Sequence, residues 1–559
     1  MIKIQESTTK KCPGDTSLFV TFKYNADVVN IVKQCDGALY DKKNVQWEVP
    51  VSELSKLINQ LNNYDDIELD LLKTTEETAT DIKLPKFKTS PFGYQLDGIK
   101  YGLQKSHEKW LLTDAPGLGK SLQILYIAQE LKKQKKVEHC LIVCGINTLK
   151  TNWKKEVEKH TNLTCRILGE RVNKKGIVNY AGIKERLEDL NSKISEFFVI
   201  TNIETLRNND IIKAINGGKN KFDMIVLDEA HCCKTPTAIQ TKNFLKLNKA
   251  TYRIAATGTL LTNSPLDAYV PLKWIGKERS NYTNFRYYYV NYGGPFNNEI
   301  LGYKHMDVLK EQLNECSLRR TKDLLDLPEK NIIHEIVDMN DKQQAFYKNI
   351  VDGIVGQVDK VHISTSSLLA MVARLRQATA CPSMLTTEKI SSSKIDRCKD
   401  LIEQIVSNGE KVVVYSTFKE TLNVLKKELS EYDVLLCTGD VKDSVISDNI
   451  EKFQNEDMYK IMLATWSKMG TGITLTSANN AIFIDCAWTQ ANNQQAEDRI
   501  HRIGSKKPVF IYYLWANDTI DMRVKELVED KSLLANYVID DEVPTQLIER
   551  LRQIIVDLQ

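Results

Sequence analysis

The sequence predicts an α/β protein: two lobes built on parallel sheets, with helical insertions, and a small α+β module in front. Three observations carry this. From residue 91 short apolar runs at 110–113, 140–145, 197–202, 222–228 and 252–257 alternate with helical stretches, the rhythm of strands joined by crossover helices. Residues 271–390 lose that rhythm and read as helical, and strands resume at 411–415, 434–437, 460–464, 481–485 and 509–515. The chain, at 559 residues, is too long for one core and suggests roughly three to four domains. The expected divisions are 1–80, 81–270, 271–390, 391–515 and 516–559, the last a helical brace with periodic Leu533, Leu534, Tyr537 and Val538.

Residues 17–61 read as a β-α-β-β-α unit. A strand at 18–24 leads to a helix that Asn25 can cap, Asp36-Gly37 turns the chain, and Val45, Trp47 and Val49 alternate onto one hairpin face. Pro50 ends the hairpin, and Leu54, Leu57, Ile58 and Leu61 recur at helical spacing. Residues 63–88, polar and acidic and then Lys/Pro-containing, read as a linker.

Composition bounds the function. With 42% apolar and 27% charged residues the chain reads as soluble and globular. It has no apolar run of the roughly 18 residues a span needs and no signal-peptide core, so no membrane and an intracellular location are expected: cytoplasm, nucleoid, or a host cell interior for a virus-encoded protein. The 12 cysteines are scattered without a CxxC pair, which points to reduced thiols. Cys232-Cys233 read as packing residues in preference to metal ligands. A net charge of +3 is too small to argue for nucleic acid by itself.

Chemistry concentrates in three stretches. Trp110 to Ser121 runs from an apolar strand through Gly117 and Gly119 into Lys120-Ser121 opening a helix, an arrangement that cradles phosphate with backbone N–H groups and the helix dipole. Lys120 would reach the β/γ-phosphates of a nucleotide, and the Ser121 hydroxyl would hold Mg²⁺. Asp114 stands where the strict pattern has glycine, which leaves an ordinary glycine turn as the alternative. Phe222 to His231 is a buried-strand run ending in Asp228-Glu229; one carboxylate can hold Mg²⁺ while the other orients or deprotonates the attacking water. Gln494 to Gly504 places Arg499 and Arg502 three apart on a helix face, as charge-stabilising groups or as plain surface cations. Gln95, ahead of the cradle, can read an adenine edge or be ordinary helix surface. Tyr282, Phe285, Tyr287, Tyr288, Tyr289 and Tyr292 form an aromatic patch, for base stacking or for helix packing.

Taken together, residues 91–515 resemble a Swi/Snf-type ATPase of superfamily two. The matching residues are Tyr94-Gln95, Asp114 with Gly117-Leu-Gly-Lys-Ser121, Asp228-Glu-Ala-His231, Thr257-Gly-Thr259, Leu318 to Lys322 with Leu327-Pro328, Leu375-Arg-Gln377, Gly472-Ile-Thr-Leu475 and Gln495 to Gly504. The N-terminal unit, through Tyr24-Asn-Ala-Asp, Gly37-Ala-Leu-Tyr-Asp and Trp47-Glu-Val-Pro50, resembles the HARP domain ahead of the motor in annealing helicases. The resemblance implies two RecA-like lobes that clamp ATP and Mg²⁺ and walk along duplex DNA. Lys120, Glu229, Arg499 and Arg502 are then catalytic, the arginines as finger and partner. Tyr94, Gln95, Asp114, Gly117, Gly119, Lys120, Ser121, Asp228, His231 and Gly472 bind the nucleotide, Ser121 and Asp228 hold the metal, and His231 couples the site to the other lobe.

The sequence departs from the family at Ala115-Pro116, where Glu-Met is usual, at Trp466 to Met469, where a small Ala-Gly pair is usual, and at Ser505, where Gln is common. The phosphate and metal residues are intact, so altered coupling is expected and not a dead site. The expected function is an ATP-dependent double-stranded DNA translocase that remodels or reanneals forked DNA. A monomer is expected, working beside single-strand-binding or replication proteins. The rivals are a strand-separating DNA or RNA helicase, and a motor that strips proteins from DNA within a larger assembly.

Overall fold

The computed structural model describes residues 1–529 except 62–63, 65, 73–83, 105, 146–147, 173–177, 259, 262–263, 294–298, 326, 359–364, 467–472 and 488–489, and beyond 529 residue 553 alone. The chain divides into two compact units. One runs from Met1 to Thr321 without 116–118 and 146–152; the other holds those stretches and everything from Lys322 on.

The first unit opens with a five-stranded sheet in the order Leu39–Asp41, Gln46–Pro50, Thr16–Phe22, Ile2–Thr8, Ile67–Asp70. Neighbours are antiparallel except the last pair, which is parallel. Helices Ala26–Lys33 and Leu54–Gln60 bury Val28, Val32 and Leu57 against Ile4, Leu18, Val20 and Val49. Asn25 caps the first helix as its residue type predicts, Oδ1 accepting from the N–H groups of Asp27 and Val28 at 2.9 and 3.2 Å.

The first and last strands escape the sequence reading. Ile67–Asp70 lies in the stretch read as linker; it is acidic, and pairing with Ile2–Thr8 makes it a strand where its own pattern does not. Val45 leaves the face of Trp47 and Val49 because it turns the chain at φ 52° with its side chain exposed. Glu48 is fully buried: Oε1 accepts from the backbone N–H groups of Lys10, Lys11 and Cys12 at 2.8, 2.8 and 3.0 Å and from the hydroxyls of Thr9 and Ser17. Burial pushes its pKa up, but these hydrogen bonds outweigh it and hold the carboxyl below its usual range.

Behind the module lies a seven-stranded parallel sheet, ordered Ser317–Leu318, Lys109–Leu112, Tyr252–Ala256, Phe222–Asp228, His139–Cys144, Phe198–Asn202, Cys165–Ile167. All seven residues of Phe222–Asp228 are buried, which is why the continuous apolar run 224–227, and not an alternating one, forms the middle of this central strand. The second unit carries a six-stranded parallel sheet, ordered Lys330–Val337, Val509–Ala516, Asn480–Phe483, Val412–Ser416, Ile461–Thr465, Val434–Cys437. Tyr347, Leu368, Val372 and Phe453 pack with Val413 and Tyr415, whereas Ile395, Leu401, Leu422 and Leu425 pack with Val412 and Val414, so alternate residues of one strand serve two cores.

Residues 271–390 are not all helical. A hairpin joins Val290–Gly293 to Glu299–Tyr303, Ser317–Leu318 enters the first sheet, and Lys330–Val337 forms an edge of the second. Edge position explains the miss: Lys330–Val337 is largely half-buried or exposed and lacks the apolar density of the inner strands. Of the aromatic patch, Phe285, Tyr288 and Tyr289 are buried, so half of it is helix packing; Tyr287 is 63% exposed. The periodic residues from Leu533 to Val538 lie outside the described residues.

The module is seated on residues 277–305 of its own unit. Glu278 Oε2 accepts from Gly14 N–H at 3.0 Å, Arg279 N–H donates to the Gly14 carbonyl at 2.9 Å, and Lys277 pairs with Asp15 at 3.0 Å. Asp36 Oδ2 takes Lys304 Nζ at 2.7 Å and lies 2.8 Å from His305 Nε2. Gly37 adopts φ 75°, and a Cβ there would stand 2.8 Å from the Tyr288 ring.

Candidate nucleotide site

The strand Lys109–Leu112 feeds a loop whose glycines, Gly117 at φ 89° and Gly119 at φ 74°, take left-handed conformations that other residues rarely adopt. Gly119 then caps the helix Lys120–Lys133. A Cβ on Gly119 would stand 2.3 Å from Gln95 Nε2, so the loop closes onto that amide only because the residue is glycine. Lys120 Nζ donates to the Asp114 carbonyl at 2.9 Å, which folds the cation back over the loop. Ser121 follows it, partly exposed, in the first turn. Gln95 is 2% exposed, not ordinary helix surface: Oε1 accepts from Phe92 N–H at 3.0 Å, and Nε2 donates to the Tyr94 hydroxyl at 3.3 Å.

Asp114 does not line the cradle. Its carboxylate is fully buried, held by both Nε and Nη2 of Arg320 and by Gln123 Nε2 at 3.1 Å. Arg320 also donates to the Tyr94 carbonyl and to Gln123 Oε1 and lies 5.3 Å from the Tyr94 ring centroid. In the sequence Arg320 stands out only as part of a motif and Gln123 not at all, although Gln123 sits one helical turn after Lys120.

The acidic pair closes the Phe222–Asp228 strand. Asp228 Oδ2 accepts from the Trp153 indole at 2.8 Å, and Oδ1 accepts from Glu229 N–H at 3.0 Å. The Trp153 ring thus faces this carboxylate. Burial pushes the Asp228 carboxyl well above the usual carboxylate range, and Glu229 pushes the same way; Trp153 and Lys120 offset this only in part. Glu229 itself is strained, at φ 54° and ψ 56°, a left-handed backbone that costs of order 1–3 kcal/mol in a non-glycine residue. His231 Nδ1 lies 3.3 Å from Glu229 Oε2 and 3.1 Å from Thr257 Oγ1, which ties the acidic pair to the end of Tyr252–Ala256.

The residues present fit a magnesium nucleotide. The cradle is one that a Cβ would fill, and Asp228 is a buried carboxylate whose proton a cation would replace. No group of three or more His, Cys, Asp or Glu that could hold a metal occurs among the described residues, and Mg²⁺ characteristically takes one or two carboxylates and completes its shell with phosphate and water. Cys232 and Cys233 are free thiols, as are the other ten cysteines.

Arg499 and Arg502 do not share a helix face. The helix ends at Glu497, and both arginines lie in the turns after it. They converge all the same: Nη1 of each donates to the Ile473 carbonyl, at 3.3 and 3.2 Å, and Arg502 Nη1 also reaches Thr474 Oγ1 at 2.9 Å. Arg499 is 5% exposed, so the surface-cation alternative fails for it. Gly472 and Thr259 lie outside the described residues.

The SNF2-related domain family matches residues 94–384, more than half of the chain, and the helicase conserved C-terminal domain matches 393–504. The chain belongs to the SNF2-related family. Its two parallel sheets are the RecA-like lobes of that family's fold. A relative described as an uncharacterized ATP-dependent helicase of Mycoplasma pneumoniae is 27% identical over 517 residues, 90% of this chain and 46% of its own length. A Caenorhabditis elegans homolog of the SWI/SNF-related matrix-associated actin-dependent regulator of chromatin subfamily A-like protein 1 is 26% identical, covering 93% of this chain and 74% of its own. The solved Sulfolobus solfataricus SWI2/SNF2 ATPase core in complex with dsDNA is 25% identical with a TM-score of 0.38, over 85% of this chain and 99% of that one. The chain spans about half the length of the first two relatives it matches, 46% and 49%. No described helix is long and apolar enough to cross a membrane.

Proposed function

We propose that this SNF2-family chain hydrolyses ATP to move along double-stranded DNA, and that it remodels or reanneals branched DNA. The observation that carries the ATPase reading is the convergence on one sheet of the Gly117–Ser121 loop, with Lys120 folded over it, and the pair of buried Asp228 and half-buried Glu229. Lys120 and the Gly-rich loop bind and orient the triphosphate, Ser121 and Asp228 would hold Mg²⁺, which supplies charge neutralisation at the phosphates, and Glu229 takes a proton from the attacking water. The strained Glu229 backbone aims its carboxylate, and His231 bridges it to Thr257. Arg499 and Arg502, mounted on Ile473 and Thr474, supply positive charge to the transition state, a role worth about 10³–10⁵ in rate.

Family membership supports duplex DNA as the track, and the HARP-like module supports forks as the substrate. A motor that holds both strands by their phosphates does not meet the stacking cost of opening them, about 1.4 kcal/mol per base-pair step. The deciding experiment measures ATPase on duplex, forked, single-stranded and RNA ligands, together with displacement of a triplex strand. We expect stimulation that grows with duplex length, triplex displacement without unwinding of a blunt duplex, and binding whose salt slope is near −0.9 per phosphate neutralised. Robust unwinding of a plain duplex, or equal stimulation by RNA, would establish the strand-separating reading.

A further inference from the structure

We infer that the second unit carries an additional binding site, for a small phosphorylated anion, at the amino-terminal edge of its sheet. Ligands of parallel sheets gather at the carboxyl ends of the strands; here a cavity of about 400 Å³ opens at the opposite edge, within the size range of small-molecule sites. Lys411, Lys460 and Lys507 stand just before the strands Val412–Ser416, Ile461–Thr465 and Val509–Ala516 and line it, with Lys506. Against these four cations the lining holds two acids, Glu410 and Asp457. Lys507 is paired with Glu410 at 3.2 Å, Lys411 donates to the Phe453 and Glu456 carbonyls, and Lys460 donates to the Gly409 carbonyl at 3.1 Å. Lys506 has no hydrogen bond or ion pair among the described residues and is exposed at the wall.

The room has a sequence origin. The short side chain of Ser505 lines the cavity, and beside it Gly504, at φ 104°, has Thr476 Oγ1 3.7 Å from where a Cβ would sit as its nearest neighbour. The same wall is the back of the arginine mount. Gln454 bridges the Thr474 carbonyl, at 2.7 Å, and Ser477 N–H, at 2.9 Å, while Thr474 Oγ1 holds Arg502 and Ser505 Oγ accepts from Arg502 N–H at 3.1 Å. An anion drawn to Lys506, Thr476 and Ser505 therefore bears on the segments that position Arg502. This second step, coupling to turnover, rests on the nucleotide-site reading above; the binding does not.

The probe is pyrophosphate, titrated by calorimetry into the full-length Lys120→Ala chain so that the nucleotide cradle is disabled. One site should remain, and Lys506→Glu or Ser505→Gln added to that background should weaken it at least tenfold. Arg502→Ala in the same background should change its affinity at least threefold, because coupling is reciprocal. Absence of heat in Lys120→Ala, or affinity unchanged by both cavity substitutions, overturns the site. Displacement of pyrophosphate by a short duplex at matched phosphate concentration assigns it to the DNA backbone and overturns the small-anion reading. If the ATPase test above fails while pyrophosphate still binds, the site stands and only its link to turnover is lost.

Discussion

Arg320 grips the Asp114 carboxylate with two nitrogens across 206 residues of sequence, and Asp114 in turn offers its carbonyl to Lys120. Deleting the guanidinium leaves a fully buried charge without its partner, which characteristically costs about 3–5 kcal/mol. Arg320→Ala should lose stability on that scale in urea denaturation of the first unit, and Arg320→Lys should not restore it, since a point cation cannot replace the two-nitrogen grip. A loss under about 1 kcal/mol would show that the pair does not hold the cradle.

Lys120→Ala should abolish hydrolysis while duplex binding persists, because Lys120 donates to the Asp114 carbonyl of the cradle loop and acts on Asp228. Glu229→Gln should bind ATP and retain it unhydrolysed, as seen in a filter-retention assay. Normal turnover in either variant would remove these residues from the chemistry.

Arg499→Ala and Arg502→Ala should each lower kcat about 10³-fold or more. Arg499→Ala should also cost measurable stability, because Arg499 is buried and bonded to Gln495 and Ile473; Arg502, less buried, should cost little. A kcat within threefold of the native chain would return Arg502 to an ordinary mount for the Ile473 loop.

Glu278 sets a pH dependence on the seating of the module. Burial raises its pKa from the ordinary 4.5 to about 7, against hydrogen bonds from Gly14 and Ser280 that act in the lowering direction. The folded state thus binds more protons than the unfolded state between these values, so its contribution is fully present below about 4.5 and is lost as pH rises through about 7. Thermal melts between pH 5 and 8 should show the first unit losing stability with rising pH, and Glu278→Gln should flatten that slope. An unchanged slope would mean that Glu278 does not titrate in this range.

A deletion tests the module itself. Removing residues 1–82 should leave duplex-stimulated ATPase, since none of the cradle, acidic or arginine residues lies there, and should remove the preference for forks. The truncation also uncovers Tyr288 and Glu278, so Asp36→Asn with Gly37→Ala, which loosens the seat without removing the module, serves as the companion measurement. Full annealing activity in both would leave the HARP-like module without a role in it.

Most of the inner strands were legible because a sheet covered on both faces demands apolar runs; 222–228, 252–257 and 411–415 match the structure within a residue. Among the edges 434–437 was legible, but most were not. Ile67–Asp70 and Lys330–Val337 owe their conformation to a neighbour far along the chain, which local pattern does not record. The cradle and the acidic pair were legible for a similar reason, since glycine and paired carboxylates have few other uses at strand ends. The supports were not legible: Arg320, Gln123 and Trp153 act through contacts across the sheet, and Glu48, a charged residue in a strand, reads as solvent-facing until three backbone N–H groups are seen around it. The placement of Arg499 and Arg502 on a helix failed because the helix stops at Glu497, and the turns beyond it bring the two cations to one carbonyl.

The parallel pairing of Ile2–Thr8 with Ile67–Asp70 puts the module's entry and exit strands side by side at one margin of its sheet. Because the two strands run the same way, the module leaves its sheet at Asp70, beside Gln5, and not at the Ile2 end where its first strand begins. It also delays its own closure during synthesis, since the first strand gains its second neighbour only after about seventy residues have emerged.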